Sequence, residues 1–186
     1  TLTRLVLEQR VPVLMIAGNH DSGTRLAFGQ QFFDPAGLHV CSAAVPETFR
    51  LTDQWGPVDF VLVPFAETAA VRLACGEAAV TDPDSAMQQR MAAIRQIGAP
   101  SSRRVAMAHA FLTGGQPSES ERPLSVGGSG AVAASSFDDF QYVAMGHLHR
   151  PQKMEAGRLT YSGSLMKYSF EEAGHAKGVF LVELDQ

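Results

Sequence analysis

Short apolar runs alternate along this chain with polar stretches of helical spacing. Residues 11–17 form a continuous apolar run with Pro12 near its start, which is typical of a buried strand. Leucines and valines at helical spacing predict a helix over residues 2–9, and a second helix over 84–97 has Asp84 or Ser85 as its cap. Further strands are predicted over residues 38–41, 58–63, 105–108 and 142–145, with a closing pair over 158–161 and 179–184.

This order of elements predicts an α/β or α+β layered domain, because strands separated by helices precede a strand-rich C-terminal third. Residues 114–130 are rich in Gly, Ser and Pro and predict a long loop. The longest apolar run has far fewer than the roughly 18 residues of a membrane span, so we expect no membrane association.

The composition is that of an ordinary globular protein and excludes a disordered or coiled-coil chain: of 186 residues, 45% are apolar and 18% are charged. Two cysteines, Cys41 and Cys75, are too few for a disulfide framework and favour a reducing, cytoplasmic location. The net charge of −4 argues against binding DNA by overall charge, although a local basic groove stays possible.

Side chains of the types that ligate metal ions follow three of the predicted strands. The C-terminal ends of strands in layered folds are where ligand sites collect, so these side chains are candidates for one site. Three imidazoles and one carboxamide at such positions fit part of a two-metal centre, which acts on phosphoryl groups. The segments are Gly18-Asn19-His20-Asp21 after the first strand, His109 after 105–108, and Gly146-His147-Leu148-His149 after 142–145.

Each segment also has an ordinary structural explanation when it is taken alone. Asn and Asp favour turns, so Asn19 and Asp21 are equally typical of a plain turn. A lone histidine after a strand, such as His109, is more often structural than a ligand. His147 and His149 would face the same side of an extended chain, but two surface histidines fit the sequence about as well.

The order of the three segments resembles the calcineurin-like metallophosphoesterases and, within them, the SbcD family of nuclease subunits. That resemblance implies a two-sheet β sandwich flanked by helices, two divalent metal ions, and metal-dependent cleavage of DNA. Manganese is the metal it implies, with Mg, Fe and Zn as alternatives, and the implied partners are DNA, an SMC-like SbcC ATPase and a second copy of the subunit. The closer match rests on residues 16–22, 120–128, 142–152, 161–164, 169–172 and 177–178.

The resemblance also implies a role for each candidate residue. Asn19, His109 and His147 would ligate one metal, and His149 would ligate the other. His20 would be the catalytic histidine that stabilises or protonates the leaving oxygen. Asp21 would hold His20 in place.

Two earlier motifs of the family, Asp-x-His and Gly-Asp-x-x-Asp, do not occur in the 18 residues before Asn19. We therefore expect residues 1–186 to be the C-terminal portion of a nuclease domain, without capping or ATPase-binding regions and with little or no activity alone. Two alternatives remain open. One is another metallophosphoesterase, either a phosphatase or a small phosphodiesterase, and the other is a non-catalytic assembly or DNA-binding module.

Overall fold

The strands of the protein form two sheets. The computed structural model describes residues 2–96, 103–118, 120–121 and 130–185. β1 (Val13–Ile16) pairs in parallel with β2 (Leu38–Cys41). The larger sheet has the order β3-β4-β5-β6-β8-β7, and its strands are β3 (Glu47–Asp53), β4 (Gly56–Val63), β5 (Arg103–His109), β6 (Tyr142–Gly146), β7 (Gln152–Met154) and β8 (Leu159–Tyr161).

The centre of the larger sheet is parallel and its edges are antiparallel. β4, β5, β6 and β8 run in one direction, whereas β3 and β7 pair antiparallel at the two edges. The predicted α/β architecture of two sheets with helices is therefore confirmed. The helices are α1 (Gly23–Leu26), α2 (Gln30–Phe33), α3 (Thr68–Cys75) and α4 (Pro83–Arg95), with a π-helical segment at Arg4–Glu8 and 3-10 turns at Asp34–Ala36, Ala134–Phe137, Glu155–Gly157 and Glu171–Gly174.

The main core lies between α4 and the central strands of the larger sheet. Met87, Met91 and Ile94 of α4 are buried in it, as their helical spacing predicts. Tyr161 on β8 is fully buried. Its hydroxyl donates to the Ala110 carbonyl at 2.9 Å and accepts the Leu112 amide at 2.9 Å, which fixes the segment that follows β5.

The N-terminal cap of α4 differs from the prediction. Asp82, and neither Asp84 nor Ser85, is the cap, because its carboxylate accepts the Ser85 amide at 2.8 Å. The Ser85 hydroxyl in turn accepts the Asp82 amide at 3.1 Å and completes a capping box. Pro83 then takes the first helical position, where its missing amide hydrogen leaves no bond unmade. Residue 97, the predicted end of this helix, lies outside the described residues.

The C-terminal third contains the largest error of the sequence prediction. Residues 179–184 form no strand, and Val179 and Leu181 are 84% and 90% exposed, so the apolar run there pairs with no neighbouring strand. The other half of the predicted pair is a strand, but β8 pairs with β6 and with β7. β3, β7 and α3 were not predicted, because all three are short or expose one face.

The predicted loop over 114–130 contains no helix or strand in its described residues, and its remainder lies outside them. Among the helices of the described ranges, none is both long and apolar enough to cross a lipid bilayer.

Candidate metal centre

The candidate site lies where three strands end at one edge of the fold. β5 and β6 run in parallel, and His109 at the end of β5 is level with Gly146 at the end of β6. β1 contacts β4 and β5, and the Phe65 amide donates to the Ala17 carbonyl at 2.8 Å. These contacts bring the turn after β1 beside the ends of β5 and β6.

One cavity of about 710 Å³ at this edge collects five of the six predicted site residues: Asn19, His20, His109, His147 and His149. Ser120, Ser164 and Tyr168 also line it. The sixth residue, Asp21, closes the turn after β1, because its carboxylate Oδ2 accepts the Gly18 amide at 2.7 Å. The individual roles of these six residues remain predictions.

Asn19 and His109 are in direct contact inside the cavity. The distance between Asn19 Oδ1 and His109 Nε2 is 2.9 Å. Two ligands of one metal ion, at bonds of about 2.1 Å and a right angle, would be about 3 Å apart. The centroid of the His147 ring lies 5.4 Å from that of the His109 ring. Asn19 and His109 are thus hydrogen-bonded at a spacing that two ligands of one ion would also have, and a second imidazole lies beside them.

Burial keeps the imidazoles of His109 and His147 neutral. It lowers the pKa of His109 to about 4, and repulsion from His147 adds to this effect. Burial likewise lowers the pKa of His147 to about 4, with repulsion from His149 and His20 as further causes. A neutral imidazole is the form that binds a metal ion. Both histidines are therefore in the ligating state at neutral pH.

Two glycines make the room that the His109 ring occupies. A Cβ at Gly18 would lie 2.7 Å from His109 Cε1, and a Cβ at Gly146 would lie 2.9 Å from His109 Nδ1. Carbon atoms in ordinary contact are about 3.5–4.0 Å apart, so any side chain at either position displaces the ring. The glycines in the Gly18-Asn19-His20-Asp21 and Gly146-His147-Leu148-His149 segments thus serve the histidine of the third segment.

Replacing Gly146 with Ala is expected to displace His109 and to break its hydrogen bond with Asn19. Overpacking of this kind lowers the free energy of unfolding by about 1–3 kcal/mol. Urea denaturation and the NMR chemical shifts of His109 measure the two effects. Gly178→Ala is the matched control, because a Cβ there meets nothing within 4 Å. Unchanged His109 shifts in Gly146→Ala would contradict the prediction.

His147 and His149 reach the cavity through an unusual backbone. His147 has a φ of 108°, a region that non-glycine residues rarely adopt and that costs on the order of 1–3 kcal/mol. Leu148 between them is 2% exposed and belongs to the main core. Packing of Leu148 thus anchors the segment while both flanking histidines line the cavity.

A buried carboxylate holds the His149 ring from behind. Glu172 is fully buried, and its Oε1 lies 3.0 Å from His149 Nδ1. Its Oε2 accepts the Lys177 ammonium at 2.7 Å. Burial acts to raise the pKa of Glu172, but hydrogen bonds from Lys177, Ser120 and His149 outweigh it and hold the pKa far below its ordinary value.

Glu172, Lys177 and Ser120 are not among the site residues predicted from the sequence. All three occur in segments on which the family resemblance rests, yet the resemblance gave no function for them. The available signal was a carboxylate pair at 171–172 with Lys177 five residues later, but nothing local shows which carboxylate is buried. That information comes from contacts between residues that are 23 to 52 positions apart.

The donor set around the cavity fits divalent metal ions in type but carries little charge. Across residues 2–96, 103–118, 120–121 and 130–185, no three His, Cys, Asp or Glu side chains are close enough together to hold a metal ion. Asn19, His109 and His147 supply one amide oxygen and two neutral imidazoles, which suit Mn, Fe, Ni or Zn. Site charge helps to set affinity for hard cations, so these ligands alone should bind weakly.

Eighteen curated proteins are similar to the chain in sequence. No protein-family profile matches the chain. The SbcD component of the SbcCD nuclease from Staphylococcus saprophyticus is 33% identical over 184 residues, which are 99% of this chain and 48% of that protein. The chain therefore spans about half the length of this relative. The chain is related to the SbcD-type nuclease subunits over nearly its whole length, which confirms the resemblance seen in its motifs and the metallophosphoesterase fold that it implies.

Proposed function

We propose that residues 1–186 form part of the nuclease domain of a metal-dependent DNA exo- and endonuclease, which hydrolyses phosphodiester bonds with two metal ions. The observation that carries this proposal is the collection of Asn19, His20, His109, His147 and His149 around one cavity at the ends of β1, β5 and β6. The similarity to the SbcD component of the SbcCD nuclease supports DNA as the substrate.

The ligand assignments follow the motif order. Asn19, His109 and His147 hold one ion, and His149 contributes to the second. Bound ions supply Lewis-acid polarisation of a phosphodiester and hydroxide at neutral pH, and manganese is the metal that we propose. The separation of Asn19 Oδ1 and His109 Nε2 by 2.9 Å is consistent with this assignment.

The protein's own contribution to bond cleavage is a proton donor at the mouth of the cavity. His20 is exposed and lines the cavity, so its imidazole can reach a leaving oxygen of a bound strand. Asp21, the next residue, fixes the turn that carries His20 through its bond to the Gly18 amide. We assign His20 as the group that protonates or stabilises the leaving oxygen, with Asp21 as its support.

DNA binding and assembly follow from charge and from the relative. The net charge of −4 directs phosphate contacts to the metal ions and to a local basic edge formed by Arg150, Lys153 and Lys167. The name of the relative describes it as one subunit of a complex, SbcCD. We therefore propose an SbcC-like ATPase partner, a homodimer of the nuclease subunit, and action in the cytoplasm on double-strand breaks and DNA hairpins.

Cleavage of blunt duplexes and hairpins in Mn²⁺ tests the proposal in the full-length parent protein. We expect cleavage that falls at least about 100-fold in His147→Ala, because a proposed ligand is lost, and that persists in His39→Ala, which lies outside the cavity. The 186-residue chain alone should cleave little, since its described donors at the cavity are neutral. Cleavage by this chain that is lost in His20→Ala would contradict that expectation.

The same samples separate the alternatives. Turnover of p-nitrophenyl phosphate or cyclic nucleotides without DNA cleavage would show that the protein is a phosphatase or small phosphodiesterase and not a nuclease. Metal-independent DNA or partner binding that survives His147→Ala, without any hydrolysis, would replace it by a non-catalytic module.

A further inference from the structure

Glu172 is a charged group where a charged group is costly. Its side chain is fully buried, and a buried carboxylate is tolerated only when it is paired and hydrogen-bonded. Every oxygen of Glu172 has such partners. Oε1 contacts Ser120 Oγ and His149 Nδ1, and Oε2 accepts from Lys177 Nζ at 2.7 Å and from the Tyr168 amide at 3.3 Å.

Lys177 fixes the far side of the same cluster. Its ammonium donates to Glu172, to the His149 carbonyl at 2.8 Å and to Ser164 Oγ at 2.8 Å. These three acceptors use all three of its hydrogens. Lys177 therefore ties the backbone of His149 to the carboxylate that contacts its ring.

The contacts of Ser120 define which nitrogen of His149 carries the proton. The Ser120 hydroxyl has one hydrogen, and ionised Glu172 can only accept, so Ser120 donates to Glu172 Oε1. Ser120 Oγ lies 2.7 Å from His149 Nδ1 and is left to accept from it. Glu172 Oε1 at 3.0 Å is a second acceptor for the same hydrogen. Nδ1 therefore carries a hydrogen, and in the neutral imidazole Nε2 keeps the lone pair.

We infer that Glu172 is a positioning residue, which holds His149 in the Nδ1–H form so that Nε2 is free to ligate a divalent cation in the cavity. Ser120 relays this hold, and Lys177 keeps the carboxylate directed at the ring. Carboxylates that hold ligating histidines in this way raise metal affinity by about 10–100-fold. The metal-binding half of the inference rests on the proposed function, whereas the tautomer of His149 does not.

The test is the ¹⁵N NMR spectrum of the histidines in the metal-free chain. We expect His149 to be protonated at Nδ1 in the wild type. Glu172→Leu/Lys177→Met, which removes the pair without leaving a buried charge, should move His149 toward the mixture of tautomers of an unconstrained imidazole. Ser120→Ala tests the relay with the ion pair intact, and it should shift the population less than the double variant does, because Glu172 Oε1 still accepts from Nδ1 directly. Glu171→Ala removes the exposed neighbouring carboxylate and should change nothing.

Mn²⁺ titration of the same samples supplies the second readout. Broadening of the His149 resonances should need about 10–100-fold more Mn²⁺ in the double variant than in the wild type. A wild-type His149 protonated at Nε2, or one tautomer population shared by all variants, would overturn the inference. A confirmed tautomer in a parent protein that does not cleave DNA would leave the positioning role standing and refute the proposed function alone.

Discussion

Acidification from pH 7 to pH 4.5 is expected to remove about 4 kcal/mol of stability from the metal-free chain. The cause is the burial of two imidazoles, since His109 and His147 both have a pKa of about 4 in the folded protein. An unfolded histidine has a pKa of about 6.5. Between these values the unfolded state takes up protons that the folded state excludes.

The direction of the effect follows from this difference in proton binding. Where the unfolded state binds more protons, stability rises with pH, so the contribution is complete above about pH 6.5 and is lost as the pH falls toward 4. Each histidine loses about 2 kcal/mol between pH 7 and pH 4.5. Glu172 has a lowered pKa, and its contribution is lost only below the ordinary carboxyl range, outside this window.

Urea denaturation at a series of pH values in the presence of a chelator measures the effect. The double variant His109→Gln/His147→Gln should show a much flatter dependence between pH 6.5 and 4.5. An NMR titration in which His109 and His147 change charge near pH 6.5 would contradict the prediction.

The burial of each strand explains whether the sequence can predict it. Strands β4, β5 and β6 are apolar because they lie in the interior of the larger sheet, so their runs are visible without any structure. The runs of β1 and β2 are equally visible, although β1 is only half-buried. β3 has only Phe49 and Leu51 as apolar residues, since it is an edge strand with most of its side chains exposed. Residues 179–184 have the reverse problem, because an apolar run forms a strand only if a neighbouring strand is available to pair with it.

The candidate site also has features that the local sequence predicts and features that depend on contacts between distant segments. The strand-end positions of Asn19, His109 and His147 are local features, and parallel strands then bring them to one edge. The glycines at 18 and 146 are also visible locally, but that both make room for His109 depends on how β1, β5 and β6 lie together. The hold on His149 is still less local, because Ser120, Glu172 and Lys177 come from three separate segments.

Lys177→Met is expected to lower the free energy of unfolding at neutral pH by about 3–5 kcal/mol, the usual cost of breaking a buried ion pair. The reason is that Glu172 has no exposed surface and would keep an unbalanced charge, while Ser164 and the His149 carbonyl would each lose a donor. Most of this loss should be recovered in Glu172→Leu/Lys177→Met, because a buried pair replaced by apolar side chains is often close to neutral.

Lys167→Met is the matched control, since Lys167 lies ten residues earlier and is exposed, and its loss should change stability by no more than about 0.5 kcal/mol. Urea midpoints at pH 7 with a common slope give all three differences. If Lys177→Met and Lys167→Met cost the same, the ammonium is not what balances Glu172. If the double variant is as unstable as Lys177→Met alone, the loss comes from the contacts of Lys177 with Ser164 and the His149 carbonyl. Recovery in the double variant therefore distinguishes the loss of the charge that balances Glu172 from the loss of the other hydrogen bonds of Lys177, and it locates the stabilisation in the pair that holds His149.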